Sequence, residues 1–243
     1  MTMGGFGQGY KPSNRLHVED PRNWAISMGT DFWLGSYPST AVLAGTAGGG
    51  VLLSEYGWTT TTLAHVAGLS GDFFSAAVPG VPGYIQFTAA SDLLMSPSIF
   101  GDAAHVAQAA RILGYRPTSL NMECYAAFLA EGSNEPSTAF GFVQAGASPI
   151  TAAAAGQFAC ISSNATNFEL NSSAASDAGA ASENAWHLWK VKITGAGSEW
   201  FIDGASQGSI ALVAAVFPLR FGCGVVAAGN NTIALNSVHI YYD

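Results

Sequence analysis

The stretch that decides the fold runs from Trp186 to Leu212, "WHLWKVKITGAGSEWFIDGASQGSIAL". It carries three of the six tryptophans and two of the lysines, Lys190 and Lys192, together with a Gly-x-Ser-x-Gly at Gly204 to Gly208. Side chains alternate from its first residue. His187, Trp189, Val191 and Ile193 fall on one face of a strand, and Trp186, Leu188, Lys190 and Lys192 on the other. "TGAGS" has the length of a hairpin loop, and Glu199 to Ile202 reads as the return strand. Asp203-Gly204 supplies the positive-φ pair of a tight turn, which places Ile210 and Leu212 on a third strand. A three-strand meander accounts for the aromatics as core filling.

Outward from this meander the same grammar continues. From Trp24 onward, short β-favouring runs alternate with Gly, Pro, Ser and Asn: "WAISMGTDFWLGSY", "GVLLSEYGWTTTTLAHV", "GDFFSAAV", "GYIQFTAA", "SLNMECYAAFLA", "TAFGFVQAG", "GQFACISS" and "TNFELNSS". Many short strands with turn signals between them specify a sandwich or barrel. The absence of strand–helix alternation counts against an α/β fold. One segment departs from the pattern. In "GDAAHVAQAARILGY", Asp102 is placed as an N-cap, Val106, Ala109, Ala110 and Leu113 share a face, and Gly114 follows the end, so a single short helix is expected. "SPITAAAAGQ" and "SSAASDAGAASEN" read as small-residue loops. No repeat of fixed period is present.

Whole-chain properties narrow the function. A chain of 243 residues can form one large all-β domain, and about seven-tenths of its unfolded surface is buried at that size. Only 10% of residues are charged, against roughly 25% in an average globular protein. Either much of the exterior meets other protein or it is a uniform Ser/Thr/Ala surface. The net charge of −8 argues against nucleic acid, which needs clustered Lys and Arg. Cys124, Cys160 and Cys223 are an odd number without metal-type spacing and read as small buried hydrophobes of a reducing compartment. "MTMGGFGQGYKPSNR" lacks an apolar signal region, and the longest apolar run, Ile210 to Leu219, is too short to span a membrane. A protein made in a cytoplasm without a signal peptide is expected, and the sequons at Asn164, Asn171 and Asn230 count as chance. Residues 1–22 are Gly-rich and polar, a composition that does not bury itself. They are expected to form an arm, leaving 23–243 as the globular unit.

The C-terminal half, "WHLWKVKITGAGSEWFIDGASQGS…FPLRFGCGVVAAGNNTIALNSVHIYYD", resembles a concanavalin A-like, or laminin G-like, jelly roll. In that family a Trp-His opens a strand, an aromatic strand ends in Asp-Gly, and a final strand closes the sandwich. Here these are Trp186-His187, Trp200 to Gly204, and Ile233 to Tyr242. The resemblance is good over about 115–243 and weaker over 24–114. It implies an all-β fold: a two-sheet antiparallel jelly-roll sandwich with one short helix and an extended N-terminal arm. Because the superfamily spans lectins, glycosidases, adhesion modules and virion proteins, it specifies fold rather than activity.

Each candidate chemistry competes with a structural role. The Gly-x-Ser-x-Gly lacks the downstream helix and the acid-then-histidine order of a nucleophile elbow, so a turn is expected. No Glu-x-Asp-x-Glu triplet occurs, and the acids lie singly apart from Glu19-Asp20 and Glu131/Glu135; a carboxylate pair would have to come from distant strands. His17, His65, His105, His187 and His239 show no zinc spacing, and His187 and His239 read as hydrogen-bonded sheet histidines. Asp203 alone is not a calcium signal. No cofactor, metal or catalytic residue is assigned. Low charge and a Gly-rich arm are similar to bacteriophage virion proteins built on this sandwich. The leading expectation is therefore a non-enzymatic structural virion component, a capsid decoration or fibre-like protein. It would attach to other virion proteins, and to itself as a homo-oligomer, through Phe6, Tyr10, Lys11, Arg15 and Arg22. A carbohydrate-binding, lectin-like module that meets a host surface glycan is the alternative, and a glycoside hydrolase is a third reading.

Overall fold

A computed structural model describes residues 27–31, 59–60, 64–67, 83–87, 93–96, 99–130, 138–144, 158–163, 168–172, 175–179, 185–211, 217–225 and 232–243. The arm at 1–22, the run "GDFFSAAV" and Leu212 lie outside these residues. Fifteen strands and one helix are described: β1 (Ser27–Asp31), β2 (Thr59–Thr60), β3 (Ala64–Ala67), β4 (Gly83–Phe87), β5 (Leu93–Met95), α1 (Ala103–Leu113), β6 (Ser119–Ala130), β7 (Thr138–Gln144), β8 (Phe158–Ser163), β9 (Phe168–Ser172), β10 (Ala175–Gly179), β11 (His187–Thr194), β12 (Ser198–Ile202), β13 (Ala205–Ile210), β14 (Leu219–Val225) and β15 (Thr232–Tyr242). They form two antiparallel sheets, ordered β13-β12-β11-β6-β15-β4-β3 and β10-β9-β8-β7-β14-β5-β2. This is the expected jelly-roll sandwich.

β15 organises the first sheet. One edge pairs with β6 along most of its length. The other edge is divided, with Ile233 to Leu235 paired to β4 and Ser237 to Tyr241 paired to β1. A bulge between Leu235 and Ser237 marks the division, since an extra residue bends the strand and increases its twist.

The meander follows the alternation of its sequence. Trp189, Val191 and Ile193 are buried, Leu188 is exposed, and Lys190 and Lys192 are half-buried. β12 buries Ser198, Trp200 and Ile202. Asp203 (φ 51°) and Gly204 (φ 85°) form the two-residue turn to β13, the positive-φ geometry whose twist matches that of the flanking strands. The two sheets share one continuous core, in which Trp189, Trp200, Phe87, Phe100, Phe128, Phe140, Phe142 and Phe221 are fully buried. The three cysteines are buried thiols outside any disulfide, and burial pushes the Cys124 and Cys160 thiols up.

The helix begins and ends where its capping residues direct. Asp102 accepts from the His105 backbone N–H at 2.8 Å, and Gly114 at φ 80° closes the last turn through Ala110 O. Ala109 is buried, with Val106 and Leu113 packed against the core. One expectation is corrected. "SSAASDAGAASEN" contains β10, which pairs with β9 from Ala175↔Ser172 to Gly179↔Phe168. Ala, Ser and Gly carry little β preference of their own; here the partner strand imposes extension on them.

Candidate functional site

Polar and aromatic side chains collect on the outer face of the first sheet. The register sets three rows across β12, β11, β6 and β15, each two residues from the next, or about 7 Å. One row reads Phe201, Lys190, Glu123 and His239. The next reads Glu199, Lys192, Asn121 and Tyr241. The third contains Leu188, Tyr125 and Ser237. The intervening residues Val191, Met122, Ile240 and Trp200 are fully buried on the opposite face, which fixes the direction of all three rows.

At the centre, Tyr241 donates its hydroxyl to Glu123 Oε1 at 2.7 Å. Lys190 Nζ donates to the same tyrosine oxygen at 3.3 Å and lies 3.5 Å from Glu123 Oε1. The ammonium stands 5.9 Å from the centroids of both the Phe201 and Tyr241 rings, within cation–π range. The Glu123 side chain is only 11% exposed, against 31% for Lys190. A nearly buried carboxylate is held in place by its charge-assisted partners. Beside this cluster, Ser206 donates to Glu199 Oε1 at 2.9 Å.

Glu123 and Glu199 are the carboxylates a paired site on this face would use. Two strand spacings and a two-residue offset put their backbones about 12 Å apart. Glu199 turns to Ser206 on β13, away from β6, whereas Glu123 turns to Lys190 and Tyr241. The pair therefore does not face across a reacting bond as glycoside hydrolysis requires. Among the described residues, no three His, Cys, Asp or Glu side chains converge as metal ligands would.

The remaining candidates fall where their strands put them. His187 makes the hydrogen bond expected of a sheet histidine, Nδ1 to Asp203 Oδ2 at 2.6 Å. Asp203 Oδ1 also accepts from the Leu188 N–H at 2.9 Å. Partial burial would raise the Asp203 carboxyl, but these bonds and the His187 charge outweigh it and hold it below its ordinary value. Ser206 of the Gly-x-Ser-x-Gly sits exposed on β13, past the Asp-Gly turn, and the strand runs on from it to Ile210. The partner-binding residues Phe6, Tyr10, Lys11, Arg15 and Arg22 lie outside the described residues. A cleft of about 150 Å³ opens at the other end of β11, walled by Val106, Leu120, Ile193, Phe217 and Tyr242. Tyr242 accepts the Gly101 N–H at 2.7 Å, and burial pushes its phenol up to about 12. The cleft is mainly apolar, and no acid lines it.

Sequence reading placed Lys190 and Lys192 on the face opposite Trp189 but missed Glu123 and Tyr241. The signal for them was polar residues at outward parity, Asn121 and Glu123 in "SLNMECYAAFLA" and His239 and Tyr241 in "SVHIYYD".

By fold, the chain is a two-sheet antiparallel jelly-roll sandwich whose outer sheet face is rich in hydrogen-bonding and aromatic groups. No family model matches it, and no curated protein is similar to it. Among solved structures, it is similar to a carbohydrate esterase from Shiga toxin-encoding bacteriophage phi24B, at 13% identity and a TM-score of 0.50, covering 90% of this chain and 98% of that one. The carbohydrate recognition domain of Emp47p gives a TM-score of 0.47 at 11% identity, covering 90% and 95%. Carbohydrate-binding module CBM66 from Bacillus subtilis gives 0.40 at 12% identity, covering 74% and 92%. The likeness to the phage esterase is one of fold, and the two lower scores add nothing to it.

Proposed function

We propose that this chain is a lectin-like carbohydrate-binding module and that the outer face of its first sheet is the binding surface. The observation that carries the reading is the Lys190–Tyr241–Glu123 cluster, bordered by Phe201. Sugars present hydroxyls that both donate and accept, next to apolar C–H faces. A fixed ammonium, phenol and carboxylate next to aromatic rings answer both features. Recognition rather than cleavage is the reading that this arrangement supports, since Glu123 and Glu199 turn to different partners. Glycan-array screening of the intact protein is expected to find a ligand. Lys190→Ala combined with Glu123→Gln is expected to weaken binding at least tenfold in calorimetry, with an unchanged far-ultraviolet spectrum; loss of one charge-assisted hydrogen bond is worth about that much. Absence of any glycan ligand, or equal affinity in the double variant, would overturn the reading.

A second reading is favoured by the low charge content, 10% of residues. In it the module is carried on a virion, as a capsid decoration or fibre-like component, held and self-associated through Phe6, Tyr10, Lys11, Arg15 and Arg22. Removal of residues 1–22 is expected to leave glycan binding intact and abolish assembly, as measured by light scattering. Assembly at full affinity by the truncated chain would eliminate the attachment role.

A further inference from the structure

The row of the outer face that holds Leu188 differs from its neighbours. Tyr125 of β6 and Trp186, one residue ahead of β11, pack with ring centroids 5.3 Å apart and planes inclined at 32°. The pairing of Leu188 with Tyr125 sets this diagonal contact. Leu188, the second residue of β11, shares the face and is 41% exposed. At the border stands Asp203, whose side chain is 56% exposed. His187 Nδ1 and the Leu188 N–H immobilise its carboxylate, taking one position on each oxygen. A carboxylate offers about four lone-pair sites, so acceptor capacity remains toward solvent. Burial, and after it the Asp203 charge, raises the Tyr125 phenol.

From this juxtaposition we infer that Tyr125, Trp186 and Leu188 form a stacking subsite for a neutral pyranose ring, with Asp203 accepting its hydroxyls. The inference rests on the carbohydrate-binding reading and extends it. The apolar patch takes the C–H face of the ring, and the carboxylate takes equatorial hydroxyls at its edge. A cationic ligand is disfavoured: His187 and Leu188 already donate to Asp203, and Lys190 lies one row away. Because the patch and the Lys190–Glu123 cluster are separate rows about 7 Å apart, one ring cannot fill both. The face therefore selects linked sugars over single ones.

The test is an affinity ladder with the intact protein, using cello-, xylo- and chito-oligosaccharides of one to four units, with tetramethylammonium as the cationic probe. The unaltered protein is expected to bind at least one disaccharide or trisaccharide tenfold or more tighter than its monosaccharide. Leu188→Gln and Trp186→Ala are expected to flatten that ladder, bringing the longer sugar down to the affinity of the single one. Trp186→Phe should restore most of the step, while Glu123→Gln weakens every length alike. Leu188 is exposed, so its variant decides the matter if Trp186→Ala does not fold. A flat ladder in the unaltered protein, a steep ladder in Leu188→Gln, or preferential binding of tetramethylammonium would each overturn the subsite while leaving sugar binding by the face in place. Absence of binding to any sugar, on the ladder and on the array, would remove both.

Discussion

Replacing Trp189 with alanine is expected to lower stability by about 3–5 kcal/mol, the usual range for deleting a large aromatic from a core. Its indole is fully buried and meets Phe128, Phe140 and Phe168 edge-on, with centroids 5.1 to 5.8 Å away. Those rings come from β6, β7 and β9, so one side chain of the first sheet keys into two strands of the second. Its Nε1 also donates to Ala126 O at 3.0 Å. Alanine removes the aromatic contacts and this hydrogen bond together and leaves a cavity that stiff neighbouring strands cannot close. Urea unfolding or calorimetry would read the change; for a chain of this length the melting point should fall by about 6–20 °C. Trp189→Phe should recover much of the loss. A drop below 1 kcal/mol for the alanine variant would mean that the two sheets are not stacked on this indole.

The second large effect is expected at Gly141, in the centre of β7. Its φ of 148° is one that L side chains rarely adopt, and an added Cβ would lie 2.6 Å from Ala159 O and 2.7 Å from the Cys160 Cα. These neighbours are backbone atoms of the paired strand β8, so no side-chain rotation relieves the clash. Gly141→Val therefore meets overpacking of about 1–3 kcal/mol and backbone strain of similar size. Failure to accumulate folded protein, or a loss of at least about 3 kcal/mol in urea, is the expected result. Gly195→Ala is the matched control: nothing lies within 4 Å of its added Cβ, and it should be close to neutral. Equal stability of the two variants would show that β7 and β8 do not pair in this register.

The parts of this molecule legible in sequence are those fixed by neighbours along the chain. Alternation from Trp186 to Ile193 gave both faces of β11, Asp203-Gly204 gave the turn, and Asp102 and Gly114 gave the ends of α1, each from within a few residues. β10 was not legible, because "ASDAG" has no preference of its own and extends only beside β9. The candidate site was half legible for a related reason. Lys190 could be assigned to the outer face from its own strand, but Tyr241 and Glu123 are 118 positions apart. Only the β6–β15 register, including its bulge, brings them together. A one-residue slip in that register would turn Tyr241 into the core and dissolve the cluster.

The divided edge of β15 also has a kinetic meaning. As the last described strand in chain order, it supplies the only described links that join β1 and the β3–β4 pair to the rest of their sheet. Among the described strands, those early ones therefore cannot join the rest of their sheet until β15 has been synthesised and has found β6. Such distant pairings place the protein among slow folders, and newborn chains must keep their unpaired strand edges from associating until that last strand arrives.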